Sequence, residues 1–350
     1  MDELEEILWR ELRTRPEARP GDLIKLIYQN EFAGGHLITD RAAAARRLRL
    51  ELDSVEPDGT LPLYESIGNG LARLNLAALK ARRSAASPET VSGLFAVTAR
   101  THRGSVEGFE RKLEILRALC ASGAAGFGDI SPELERYRAE GYPARSHSPE
   151  YRAAYSPAYR VLDERLCENL GLFESIDACL ADRGRCIIAI DGGSGTGKSS
   201  LAALAQEVYG EDACNLFHTD DFFLQKHQRT PERFSQPGGN VDYERLEAEV
   251  LRGIASGKPF GYRRFDCSTM SLGDLIEAQP RRISIVEGVY SLHPALQKYY
   301  DARYILSAPY GKRLGRIRER DGEYLLGRFV REWIPMEDRY FAAIGAEQEE

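Results

Sequence analysis

The chain has 350 residues, 43% of them hydrophobic and 29% charged, with a formal net charge of −7 and a pI near 5.6. That is the composition of a folded globular protein of about two domains, and its acidic balance argues against nucleic acid or an anionic membrane as the main partner. No stretch approaches the ~18 consecutive apolar residues of a membrane span, and the six cysteines form no C-x-x-C pair, so they read as reduced thiols in a cytoplasmic protein.

The acidic start Met1-Asp-Glu-Leu-Glu-Glu6 carries no apolar signal region. Residues 1–170 are expected to form a mainly helical domain. Its helices are expected at Glu3 to Leu12, at Asp22 to Tyr28 with Asp22 as cap, and after Asp40 through Arg41 to Leu52. Gly70 to Arg83 and Gly108 to Leu119 also read as helical. Glycines in Glu31-Phe-Ala-Gly-Gly-His-Leu37 and Ile67-Gly-Asn-Gly-Leu71 mark tight turns or close approaches. His36, His102 and His147 are isolated, and no metal spacing links them. Arg46-Arg-Leu-Arg49 fits a solvated helix face more simply than a basic patch. Gly141 to Pro157, with Pro143 and Pro149, is expected to be loop, followed by short helices at Val161 to Leu170 and Phe173 to Ala181.

Residues 171–350 change pattern. Strands are expected at 186–191, 214–219, 283–289 and 303–307, and helices at 198–209, 242–255, 293–300, 310–320 and 322–345. Such alternation implies an α/β fold, a parallel sheet with helices on both faces. Ligands of such sheets sit beyond the carboxyl ends of the strands, which is where the polar motifs fall.

The first is Gly192-Gly-Ser-Gly-Thr-Gly-Lys-Ser-Ser200, between an apolar strand and a helix, and it matches G-x-x-x-x-G-K-[ST]. Backbone amides of Gly192, Gly193, Ser194, Gly195, Thr196 and Gly197 and the helix N-terminus at Lys198, Ser199 and Ser200 make an anion cradle. Lys198 is expected to reach the β- and γ-phosphates and the Ser199 hydroxyl to bind Mg²⁺. The second is His218-Thr-Asp-Asp-Phe-Phe223, where Asp220 or Asp221 can orient an acceptor hydroxyl. Strand neighbours point to opposite faces, so one of the two is expected in the site. Glu287, after Ile283-Ser-Ile-Val286, fits the second acidic element that holds Mg²⁺ or its water shell. Arg313, Arg316 and Arg320 share one helix face, suited to closing over a triphosphate and equally to a solvated basic surface. Asp242 reads as a helix N-cap, or as a ligand of sugar hydroxyls. The aromatics of Phe260-Gly-Tyr-Arg-Arg-Phe265 can stack on a flat base or fill a core.

Together these motifs resemble the uridine kinase and phosphoribulokinase family of P-loop kinases, most of all its bacterial uridine kinase-like branch. The resemblance rests on 190–199, 218–223, 238–245, 285–291 and 313–321, in the family's order and over about half of the chain. It implies phosphorylation of a primary hydroxyl, typically of a nucleoside, by ATP or GTP with Mg²⁺. It implies Asp220 as the catalytic carboxylate, Arg316 and Arg320 as lid arginines, Glu287 as the magnesium-side acid and Asp242 as the ribose ligand. Phe223 stands where the nucleoside kinases carry tyrosine, and ungapped matching puts Cys267 where the family has a uracil-reading histidine near Tyr262. Tyr262 and Phe223 are the remaining acceptor-pocket candidates. After Phe341 no final strand of the family's kind follows. The expected partner is a small-molecule acceptor, with no nucleic acid and no membrane, and a homo-oligomer is left open. Alternatives are a kinase of another small alcohol or sugar phosphate, kept open by Arg263 and Arg264, and a nucleotide-dependent switch acting on the N-terminal domain.

Overall fold

The computed structural model describes residues 3–34, 41–123 and 125–346, so His36 and Asp40 lie outside the described residues. The chain divides into two compact units, Met1–Glu174 and Ser175–Glu350. No helix among the described residues is long and apolar enough to cross a membrane.

In the first unit, helices surround a small antiparallel sheet. The helices are Glu3–Thr14, Pro20–Phe32, Arg41–Ser54, Leu76–Ala81, Pro88–Thr101, Val106–Ala121, Ser131–Ala139, Pro149–Tyr155 and Glu164–Glu168, and Leu170–Arg183 leads onward. Their starts follow local chemistry. The hydroxyls of Ser87, Ser105 and Ser148 and the Asn75 side chain accept backbone N–H groups of the first turn, each a cap of about 1 kcal/mol. The core joins Leu8, Leu23, Ile24, Ile27, Phe109, Leu116 and Tyr137, all fully buried.

The observed elements correct three expectations. Tyr64–Gly68, Leu71–Asn75 and Tyr159–Asp163 pair in that order. Strand therefore replaces the start of the Gly70 to Arg83 helix and of the Val161 to Leu170 helix, and Pro149–Tyr155 is helix within the expected loop. Leu71-Ala-Arg-Leu74 is buried on both faces, and Arg73 inside it is ion-paired to Glu11 at 3.2 Å. Pairing with a distant strand outweighs local helix preference there. The tight turn expected at Gly68-Asn69-Gly70 is present: all three residues have positive φ.

In the second unit four strands run parallel in the order Cys214–His218, Ile283–Glu287, Cys186–Asp191, Ala302–Ile305. The apolar runs of Cys186–Asp191 and Ile283–Glu287 are buried throughout, as central strands covered on both faces must be. The register pairs Glu287 with both Ile190 and His218, and Asp191 with Ile305, so every strand ends at one edge. Helix Lys198–Tyr209 follows the first strand. Residues Tyr243 to Ser256 form one helical run with a π turn at Leu246–Leu251. A hairpin, Phe260–Asp266 with Ser271–Ala278, stands apart from the parallel sheet. The helix expected at 293–300 reduces to a 3₁₀ turn, Gln297–Tyr299. There the Leu292 N–H is claimed by the Asp191 carboxylate and the Leu292 carbonyl by the Gln297 side chain. The expected helices 310–320 and 322–345 are Tyr310–Arg328, broken at Gly322 (φ 80°), a π turn at Phe329–Trp333, and Ile334–Ile344.

Candidate active site

The strand Cys186–Asp191 delivers its last carboxylate into a fully enclosed position. Asp191 accepts hydrogen bonds from the Gly192 N–H (2.7 Å), the Leu292 N–H (2.9 Å) and the Tyr340 hydroxyl (2.7 Å). Burial raises its pKa to about 6, while these three donors and nearby Lys198 hold it down. The loop that follows needs glycine. At Gly192 a Cβ would lie 2.3 Å from the Leu306 backbone oxygen, and at Gly195 (φ +78°) one would lie 2.6 Å from the Arg313 backbone oxygen. The Thr196 hydroxyl closes the loop on the Gly193 carbonyl at 2.8 Å. Helix Lys198–Tyr209 starts from Gly197 with no side-chain cap, so its first amides are left to an anion. A strand, this loop and this helix, at the edge of a parallel sheet, are a P-loop fold.

The loop is held from behind by a buried clamp. The Glu337 carboxylate accepts the Ser194 N–H at 2.9 Å and the Ser194 hydroxyl. Arg313 pairs with Glu337 at 3.2 Å and donates to the Ser194 carbonyl at 2.9 Å, and both charged side chains are 3% exposed. Burial raises the Glu337 pKa against the opposing pull of Ser194, Lys198 and Arg313.

In front of the loop the acids converge. The exposed Ser199 hydroxyl donates to Glu287 at 3.0 Å. The other Glu287 oxygen is bonded to His218 Nδ1, and that bond raises the His218 pKa. Asp220 is open to solvent, yet the surrounding protein mass raises its pKa; Lys198 lowers it and Glu287 raises it further. Ser199 is thus bonded to Glu287, and Asp220 lies within electrostatic range of Lys198 and Glu287, at the ends of three strands. The hydroxyl and carboxylate oxygens of Ser199 and Glu287 are hard donors of the kind Mg²⁺ takes.

Other expected residues are placed differently. Asp220 and Asp221 lie on a 3₁₀ turn, Thr219–Phe222, not on the strand, so strand alternation does not sort them. Asp221 instead pairs with Arg264 at 3.1 Å. Of the arginine row, Arg313 is the buried clamp, Arg316 donates to the Gly195 and Thr196 carbonyls at 3.1 and 2.8 Å, and Arg320 bonds Asp321 while remaining within electrostatic range of Asp220. Asp242 is buried. One of its oxygens caps the helix by accepting the Arg245 N–H at 3.0 Å, and the other accepts the Gln228 amide at 2.8 Å. Tyr262 is buried in the core against Phe217 and Phe222, and Phe223 makes an isolated bridge to Val241. Gly193 is packed against the Arg313 guanidinium, and Ser200 is exposed on the first helical turn.

The sequence reading passes over His218, Glu337 and Tyr290. Tyr290 is buried, is influenced by Asp220, and holds φ +75° just beyond Glu287. Strain of this kind, of order 1–3 kcal/mol, collects at functional sites. His218 adjoins the acidic motif, which was its one available signal. Glu337 sits 143 residues from Ser194, and nothing local marks it.

No protein-family model matches the chain. Among curated proteins, the chain is similar to the uridine kinases of two strains of Clostridium perfringens, each 26% identical over 141 residues, 38% of this chain and 67% of the kinase. Among solved structures, that of a possible uridine kinase from Bacillus stearothermophilus aligns over 51% of this chain and 98% of its own, at 20% identity and a TM-score of 0.37. The family resemblance read from the motifs is thus matched by uridine kinase homologues over part of the chain.

Proposed function

We propose that the second unit is a P-loop phosphotransferase that moves the γ-phosphoryl group of ATP or GTP to a primary hydroxyl of a small molecule, most readily a nucleoside. The observation that carries this reading is the convergence of Lys198, Ser199, Glu287 and Asp220 in front of the glycine loop. The similarity to uridine kinases supports it.

The loop amides and the start of the 198–209 helix bind the phosphates. Lys198 lies against the transferred group. Ser199 and Glu287 would hold Mg²⁺, whose charge offsets that of the β- and γ-oxygens. Asp220 accepts a hydrogen bond from the acceptor hydroxyl and aims its oxygen in line with the bond to the leaving phosphate. Its raised pKa brings it nearer to the strength useful in a base, and its proton is taken late in a loose transition state. Arg316, parked on the loop carbonyls, and Arg320, beside Asp220, are the cations available to the spreading charge. Asp242 is engaged as a buried cap and Tyr262 in the core, so the reading gives uridine no special claim over other nucleosides.

The test is transfer from Mg²⁺-ATP and Mg²⁺-GTP to a panel of nucleosides and small alcohols. A phosphorylated acceptor that disappears with Lys198→Ala and Asp220→Asn supports the reading. No product on any acceptor, with nucleotide binding intact, overturns it in favour of a nucleotide-dependent switch.

A further inference from the structure

The first unit contains a cavity of about 490 Å³, within the range of small-molecule sites. Its walls combine aromatic rings, Tyr28, Phe95 and Tyr159, with an excess of cations. Two of its four cations are neutralised nearby: Arg160 by Glu51 at 2.5 Å and Arg145 by Glu133 at 2.7 Å. Lys25 and Arg47 are in no ion pair among the described residues. Lys25 Nζ donates to the Arg145 carbonyl at 2.9 Å; burial and the nearby Arg73 charge lower its pKa, and the Asp22 charge opposes them. A half-buried ammonium in no ion pair among the described residues gains from an anion that a ligand supplies. Ser92, also on the wall, is 3% exposed, and its hydroxyl has no hydrogen-bond partner among the described residues. A buried hydroxyl left unmatched costs about 1–3 kcal/mol.

One wall is preorganised from behind. Asp22 accepts from His147 Nδ1 at 2.9 Å, and His147 Nε2 lies 2.6 Å from the Tyr159 hydroxyl. Burial keeps His147 neutral against the pull of Asp22, so with Nδ1 donating, Nε2 accepts from Tyr159. The Gln29 amide then donates to the Tyr159 oxygen at 3.2 Å while its carbonyl accepts from Arg73 at 3.1 Å. The arrangement fixes the plane of the Tyr159 ring, and Arg73 lies 4.8 Å from its centroid. A rigid aromatic wall beside two cations in no ion pair and a hydroxyl with no hydrogen-bond partner, among the described residues, suits a flat ligand with one anionic end.

We propose that this cavity binds a small organic anion with a flat apolar body, its phosphate or carboxylate oxygens held by Lys25, Arg47 and Ser92 and its body against Tyr28, Phe95 and Tyr159. The site lies wholly in the first unit and is independent of the phosphotransferase reading.

The experiment is calorimetric titration of the full chain with phenyl phosphate, benzoate, phenol and inorganic phosphate. Phenyl phosphate or benzoate should bind saturably, with phenol and inorganic phosphate at least about tenfold weaker; which anion binds tighter assigns the phosphate or the carboxylate class. Arg47→Met, on an exposed helix position, and Lys25→Met should each weaken binding about tenfold or more, the loss of one charged hydrogen bond. Lys198→Ala should leave it unchanged. Absence of saturable binding by either aromatic anion overturns the proposal. So does binding that survives Arg47→Met and a folded Lys25→Met, or that disappears in Lys198→Ala.

Discussion

Replacing Glu337 by glutamine tests whether the clamp behind the glycine loop is structural. The wild-type carboxylate serves the Ser194 N–H, the Ser194 hydroxyl and the Arg313 guanidinium at once. Glutamine keeps an acceptor for Ser194 but leaves Arg313 buried without a counter-charge. Breaking a buried pair by removing one partner costs about 3–5 kcal/mol. The lower end applies here, because Arg313 keeps the Ser194 carbonyl and because burial already raises the Glu337 pKa. For a unit of this size, ~3 kcal/mol lowers Tm by roughly 6–12 °C. Thermal unfolding followed by circular dichroism reads the shift. A companion Arg313→Leu/Glu337→Leu variant removes both charges and should recover most of the loss, since apolar replacement of a whole buried pair is close to neutral. Because the Glu337 pKa is raised in the folded protein, wild type should gain stability relative to Glu337→Gln as pH falls through that raised pKa. A Glu337→Gln protein that melts within about 2 °C of wild type at neutral pH would refute the reasoning.

Gly195→Ala places a Cβ 2.6 Å from a backbone oxygen at a positive φ; nucleotide affinity should fall at least about tenfold, as strain of ~1–3 kcal/mol implies, and unchanged affinity would contradict the loop geometry. Asp220→Asn should lower kcat by about 10²–10⁴ with nucleotide affinity retained, the range for loss of a general base, as steady-state kinetics would show. In the first unit, burial would raise the Asp22 pKa, but His147, Ser148 and backbone N–H groups of Arg19 and Ser148 bring it down to about 2. A depressed acid stabilises the fold above its unfolded pKa and loses that contribution as pH falls through its folded value. The stability difference between wild type and Asp22→Asn in urea titrations should therefore be full at pH 7, about 2 kcal/mol, and should shrink between pH 4 and pH 2.

The parts of the site legible in the sequence are those whose chemistry is local. Gly192 to Ser199 take the expected strand–loop–helix form because the three are contiguous in sequence, and Glu287 ends its strand because an acid closes an apolar run. Asp220 was separated from Asp221 by resemblance and not by strand alternation, since the backbone turns into a 3₁₀ helix before either residue. What the sequence hides is long-range. The Leu71–Asn75 strand carries helix-forming residues, and its partner Tyr159–Asp163 lies almost ninety positions later. Arg313 sits in a row that looked like a solvated face or a lid, but its charge is consumed by Glu337 from another helix. The Asp22–His147–Tyr159 chain joins residues more than a hundred positions apart, with no spacing that links them.

The central claim is that the γ-phosphoryl group goes to an alcohol and not to water. The direct measurement is ³¹P NMR of a reaction containing the full chain, Mg²⁺-ATP and the nucleoside panel. The account predicts a phosphomonoester resonance coupled to a CH₂ group, growing as ATP is consumed and absent with Asp220→Asn. Inorganic phosphate as the sole product, with every nucleoside recovered unchanged, would contradict it.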